Sequence, residues 1–177
     1  MDIESELLKE HSRARAERIV RWIGGDRKRF RVLMEMFLGG DYRAAQVAAM
    51  AVGICAERRP ALAAPYLKRM IARMEEPGVH DAVRRAVMRL LQNADIPPAL
   101  MGTVADACFR YLSSQEVPVA IRAFAMTVLG RIAAREPELG RELRLVIEQH
   151  MPWGSSGFRA CAARVLADLD RGVPREQ

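Results

Sequence analysis

With 177 residues, half of them hydrophobic, the chain is long enough to fold as one domain around a continuous core. Charged residues make up 28% and are spread along the chain, which excludes a wholly disordered protein and any acidic or basic tail. The net charge of +6 raises the question of an acidic partner, because a basic surface attracts nucleic acid, acidic proteins or anionic lipid. Only Lys9, Lys28 and Lys68 are lysines, so the basic character is that of arginine.

The chain opens on MDIESELLKEH, an acidic amphipathic stretch with no positive start and no apolar run. It reads as the beginning of a capping helix over about 3–23, and not as a secretory signal. Gly24-Gly25 ends that helix. Helix pairs are then predicted at about 26–38 and 42–57, 61–75 and 80–94, 98–113 and 118–134, and 137–150 and 156–170. Gly39-Gly40, Pro77-Gly78, Ser113-Ser114 and Trp153-Gly154 mark joints, and Asp41, Asp81 and Ser156 are placed to cap helix starts. The whole is a single domain over 1–177, with a cap at about 1–24, helix pairs at about 25–171 and a tail at 172–177. No segment has the roughly 18 uninterrupted apolar residues of a membrane helix, so a soluble cytoplasmic protein is expected.

Two phrases repeat in register. Pro60-Ala61-Leu62, Pro98-Ala99-Leu100 and Pro137-Glu138-Leu139 lie 38 and 39 residues apart, and proline suits the first turn of a helix, where its missing N–H would be unsatisfied in any case. AQVAAMAVG from Ala45, VRRAVMRLL from Val83, IRAFAMTVL from Ile121 and FRACAARVL from Phe158 recur at 38, 38 and 37. A period near 40 with two helices per unit is the pattern of an α-α superhelix. The last copy places Phe158, Cys161, Ala162, Val165, Leu166 and Leu169 on one helical stripe, and Leu100, Val104, Cys108, Tyr111 and Leu112 trace another. Leu100, Leu129 and Leu166 are expected to be almost fully buried. Cys55, Cys108 and Cys161 lie in apolar runs at wide spacing, as free core thiols do.

Val83-Arg84, Ile121-Arg122 and Phe158-Arg159, each followed by small residues and a Leu, resemble the second-helix pattern of HEAT repeats. The stretch from about Tyr42 to Leu166, including Asp106-Ala107-Cys108-Phe109 and Pro118 to Met126, is similar to small bacterial HEAT-repeat proteins whose biochemical role is unassigned. The resemblance implies an all-α, HEAT-like solenoid of about four helix pairs with an N-terminal capping helix. The first unit departs from the pattern, with Gln46 where the others carry Arg.

Groups that could carry chemistry are sparse. His11, His80 and His150 have no spacing that would put two ligands on one helical face, and the repeated His-Glu dipeptides of HEAT-like hydroxylases do not occur. The glycine pairs are helix stops and not a phosphate loop, and Glu75-Glu76 is an adjacent pair that points two ways. Met50, Met70, Met74, Met88 and Met126 fall in apolar stripes. HEAT-like alkylpurine DNA glycosylases hold a lesion among aromatic residues and an acidic group. Here Trp22 and Trp153 lie in the cap and a loop, and Phe124 and Phe158 on the stripe that faces the core. No catalytic residue, metal site or cofactor is indicated.

A column of arginines remains. Arg84, Arg122 and Arg159 share one repeat position and suit inter-repeat bridges, with Asp81, Asp106, Glu116 and Glu142 as partners. Arg85, Arg89, Arg131 and Arg164 fall on nearby exposed positions of the same second helices, which line the inner surface of a solenoid. The expected function is therefore non-enzymatic: a protein-protein interaction or scaffolding module using the concave face, its partner a protein, with an acidic one the kind that the arginines would suit. The alternative is a nucleic-acid-associated HEAT-like module, and no membrane partner is expected.

Overall fold

The computed structural model describes residues 3, 5, 6, 12–39 and 41–172. His11, Gly40, the stretch 7–11 of the expected cap and the tail from 173 lie outside the described residues. Among those described there are helices and turns and no strand. In chain order the helices are α1 (Arg13–Ile23), α2 (Arg27–Leu38), α3 (Tyr42–Arg58), α4 (Pro60–Ala63), α5 (Leu67–Met74), α6 (Asp81–Leu91), α7 (Pro98–Ser113), α8 (Val119–Ala133), α9 (Pro137–His150) and α10 (Ser156–Arg171). None is long and apolar enough to cross a membrane.

The local chemistry of each start explains its position. Pro60, Pro98 and Pro137 each occupy the first position of a helix. Asp26 accepts from the N–H groups of Lys28 and Arg29 at 2.8 and 3.1 Å, and these backbone donors hold its carboxyl below the usual range. Asp41 caps α3 by accepting from the Ala44 N–H at 2.6 Å. Two expected caps are displaced by one residue. His80 Nδ1, not Asp81, accepts from the Ala82 N–H at 2.9 Å, and Ser155, not Ser156, accepts from the Phe158 N–H at 3.3 Å. In both cases the preceding residue has the extended backbone a cap requires.

Two helices expected to be continuous are interrupted. The predicted cap over 3–23 is broken by Ser12, which is extended and accepts from the Arg15 N–H, so α1 starts at Arg13. The predicted helix 61–75 passes through a 3-10 turn at Ala64–Tyr66, because Pro65 has no N–H and its ring would clash with the preceding turn.

The chain forms two compact units, residues 1–94 and 95–177. In the first, α3 is the central helix and packs against α1, α2 and α6. Its buried residues, from Ala44 to Ala56, are mostly alanine with Val47, Val52, Ile54 and Cys55, so neighbouring backbones can come close on several sides. In the second unit α8 takes that place between α7, α9 and α10, burying Ile121, Ala125, Met126, Val128, Leu129 and Ile132. Gly130 lies against α10, where an added Cβ would sit 3.3 Å from a Val165 methyl.

The outer helices bury one stripe each. On α10 the stripe is Phe158, Cys161, Ala162 and Val165, whereas Leu166 and Leu169 are half-buried. Leu129 is fully buried, but Leu100 and Leu166 are not, contrary to expectation. Leu100 belongs to the first turn of α7, and the Leu166 side chain leaves the stripe at its margin while Val165 takes the inward position. Met70, Met74, Met88 and Met126 are core residues, and Met50 is half-buried.

Leu129→Ala should therefore cost about 2–5 kcal/mol in denaturant unfolding, and Leu166→Ala clearly less, since only the first leaves an enclosed cavity. Gly154→Ala should cost about 1–3 kcal/mol, because its Cβ would come 2.5 Å from the ring of the fully buried Phe158, which has nowhere to turn. Equal losses for the two leucines, or a neutral Gly154→Ala, would contradict this packing.

Candidate functional site

The three arginines of the shared repeat position have three different environments. Arg84 is half-buried and donates to Asp81 Oδ1 at 3.1 Å, one turn earlier on its own helix. Arg122 is 8% exposed. Its Nε donates to the Leu112 carbonyl at 3.1 Å, near the end of α7, and its guanidinium lies 4.7 Å from the centroid of the Phe158 ring on α10. One side chain thus joins α7, α8 and α10, and burial pulls its pKa down from the ordinary arginine value. Arg159 is exposed and has no ion pair or hydrogen bond through its side chain among the described residues. α10 is the last described helix, and no later aromatic ring lies over Arg159 as Phe158 lies over Arg122. Of the four acids available to this column, Asp81 alone holds one of its arginines among the described residues.

The second set is equally divided. Arg85 is exposed on α6 without an ion pair among the described residues. Arg89 is exposed but donates to Glu57 Oε2 at 2.9 Å, so α3 already supplies it with a carboxylate. Both ends of that pair are about half exposed, and water screens it to a small contribution. Arg164 is exposed, with its guanidinium 3.6 Å from Cys161 Sγ. Arg131 stands apart from the others: it is half-buried in the wall of a cleft.

That cleft, of about 410 Å³, lies within residues 95–177. Its walls come from the end of α8, the start of α9 and the C-terminal end of α10, with Ile96 and Met101 also lining it. Ile132, Val165 and Leu169 make it apolar, while Arg131, Arg135, Arg141 and Arg144 bring guanidinium groups. Burial lowers the Arg131 pKa, the charge of Arg135 adds to this, and Asp95 opposes it. Arg135, Arg141 and Arg144 are absent from the sequence-based site. The signal for them is four arginines between 131 and 144, placed on both sides of the helix start at Pro137.

His80 caps α6 and meets the Tyr42 ring edge-to-face at 5.1 Å. Desolvation, and secondarily the charge of Arg122, lower the pKa of His150. Glu76 is held by Arg73. Cys55, Cys108 and Cys161 are buried, and none of them forms a disulfide among the described residues. Burial pushes the Cys55 thiol up to about 11, against the smaller pull of Arg59 and Arg58, and it also raises Cys108. Among the described residues no group of three His, Cys, Asp or Glu could hold a metal ion.

A family model described as a HEAT repeat domain matches residues 3–169. The chain belongs to the HEAT repeat family. No curated protein and no solved structure matches it. Arg84, Arg122 and Arg159 lie on α6, α8 and α10 at intervals of 38 and 37 residues. Phe158 is buried beneath Arg122 and Phe124 is half-buried, so neither is a free aromatic platform on those helices.

Arg122→Ala should destabilise the protein by about 2 kcal/mol or more, since it strands the Leu112 carbonyl and uncovers the Phe158 ring. Arg159→Ala should stay within about half a kcal/mol of wild type. Thermal unfolding of the two variants measures the difference, and equal effects would show that the shared position has one role. At pH 7 the native protein should react with a thiol reagent at Cys55 and Cys108 only slowly, and rapidly once denatured. Stoichiometric labelling of either residue in the folded state would overturn that reading.

Proposed function

We propose that this HEAT-repeat chain is a non-enzymatic interaction or scaffolding module that captures an acidic partner protein through its second helices. The observation that carries the proposal is the set of exposed arginines on those helices, Arg85 on α6 and Arg159 and Arg164 on α10, none of them held by a carboxylate among the described residues. An unpaired guanidinium in water is cheap to keep and available for a bidentate contact with a carboxylate. Stacked-repeat proteins commonly bind through such extended helical surfaces. Arg131 belongs to the same proposal through its cleft, whereas Arg89 contributes only if a partner displaces Glu57. Three buried cysteines outside any disulfide among the described residues support a reducing, cytoplasmic setting.

A nucleic-acid partner would draw on the same net charge of +6. It is the second reading because Phe158, the aromatic residue placed best for base stacking, is spent in the core. Two measurements separate the readings. Arg85→Glu/Arg164→Glu should lose proteins that the wild-type chain captures by in-cell crosslinking, with a melting temperature close to wild type. Unchanged capture would refute the second-helix surface. In parallel, a mobility shift on mixed DNA and RNA should be absent at physiological salt. A shift that weakens steeply with added salt, as counterion release requires, would favour the nucleic-acid reading.

A further inference from the structure

We propose that the solvent-facing sides of α2 and α5, within residues 1–94, form a surface that docks on an anionic membrane. The proposal goes beyond the protein-binding role above and uses none of its arginines. α2 buries Phe30, Leu33, Met34 and Phe37, and α5 buries Leu67, Met70, Ile71 and Met74, so each helix turns one apolar stripe inward and leaves the other side to water. The two helices pack on each other, and where α5 begins the Tyr66 ring meets Phe30 edge-to-face at 5.8 Å. Their stripes recur at an interval of 37 residues, which puts Arg31 and Lys68 at one helical position and Val32 and Arg69 at the next.

The exposed side chains of this face are cationic. Arg27 and Lys28 on α2 and Lys68 and Arg69 on α5 have no ion pair and no side-chain hydrogen bond among the described residues. Arg31 has Glu35 at 3.5 Å, but both side chains are 65% exposed and water screens the pair. Glu35 is the one carboxylate that α2 and α5 contain. Asp26, which precedes α2, is taken by two backbone N–H groups and by the Arg29 guanidinium at 3.4 Å. The outer sides of α7 and α9, by contrast, expose Asp106, Glu138, Glu142 and Glu148 beside Arg110 and Arg141. The uncompensated positive charge therefore belongs to α2 and α5 and is not copied along the repeat.

The make-up of the face favours a membrane over a polynucleotide. Lys28 and Lys68 are two of the three lysines in the chain, and an ammonium is a hydrated point charge suited to diffuse attraction, whereas bidentate phosphate contacts call for arginine. No ring is offered to a base: Phe30 is buried, Tyr66 is half-buried against it, and Trp22 lies under the Arg29 guanidinium. Val32, in contrast, is 43% exposed among the charges, an apolar side chain that can enter the headgroup layer. Clusters of roughly four to eight basic residues on a helical surface bind leaflets that contain phosphatidylserine. The sequence-based expectation of no membrane partner speaks only of spanning segments. Docking of this kind is peripheral and needs none.

The test is sedimentation of the full chain with vesicles. At physiological salt the protein should pellet with phosphatidylcholine vesicles in which about a third of the lipid is phosphatidylserine, and not with phosphatidylcholine alone. Lys28→Gln, Lys68→Gln and Arg69→Gln should each weaken that binding about fivefold, and the triple variant about a hundredfold. All three side chains are exposed, so the triple variant should melt with wild type. Arg85→Glu/Arg164→Glu should keep its vesicle binding, so that the fate of this surface is read separately from that of the second helices. No binding, equal binding to neutral vesicles, indifference to the triple variant, or an equal loss in Arg85→Glu/Arg164→Glu would overturn the proposal. Binding of duplex DNA through Lys28, Lys68 and Arg69 without binding of vesicles would also overturn it and assign the face to nucleic acid.

Discussion

The fold depends on two helices that cannot be left at a surface. α3 and α8 are apolar on most of their circumference, so each has to be surrounded, and helices with a single apolar stripe are the available wall. Small residues make the enclosure tight. Alanines along α3 and Gly130 on α8 let neighbouring backbones approach to distances that larger side chains would forbid. Because the wall helices need only one apolar stripe, their other faces are free to carry charge. The arginines of α6 and α10 are a product of that freedom.

One repeat position shows how little a recurring residue fixes its own role. Arg122 is buried because a carbonyl from α7 and a ring from α10 converge on it, satisfying a guanidinium that would otherwise be costly to desolvate. Among the described residues Arg84 finds an acid on its own helix, and Arg159 is left to water. The difference lies in the neighbours of each side chain, which the repeat does not copy.

Much of the architecture was legible in the sequence because periodicity and helix-start chemistry act locally. Pro60, Pro98 and Pro137 open helices where their phrases recur, and Asp41 caps α3. The errors fall where one side chain competes with a longer pattern, as at Ser12 and Pro65, or where two adjacent residues could each cap, as at His80-Asp81 and Ser155-Ser156. Burial was less legible than helicity. Leu166 keeps the apolar spacing yet sits at the edge of its stripe, a matter of how α10 is rotated and not of its sequence. The cleft was hidden for a similar reason. Arg135 and Arg141 lie on either side of a helix joint, and only the folded joint brings them to the cavity that Val165 and Leu169 floor.

The two tryptophans give the protein an unequal pair of built-in optical reporters. Trp22 in residues 1–94 is half-buried, with the Arg29 guanidinium 4.6 Å from its ring centroid, whereas Trp153 in residues 95–177 is 78% exposed. An indole already in water emits at nearly the same wavelength before and after the chain unfolds. The spectral shift on denaturation is therefore a signal from the N-terminal unit, and the C-terminal unit can lose its structure almost without colour change. Comparison with helical circular dichroism, which weighs both units alike, turns that blindness into a measure of whether the repeats melt together or in sequence.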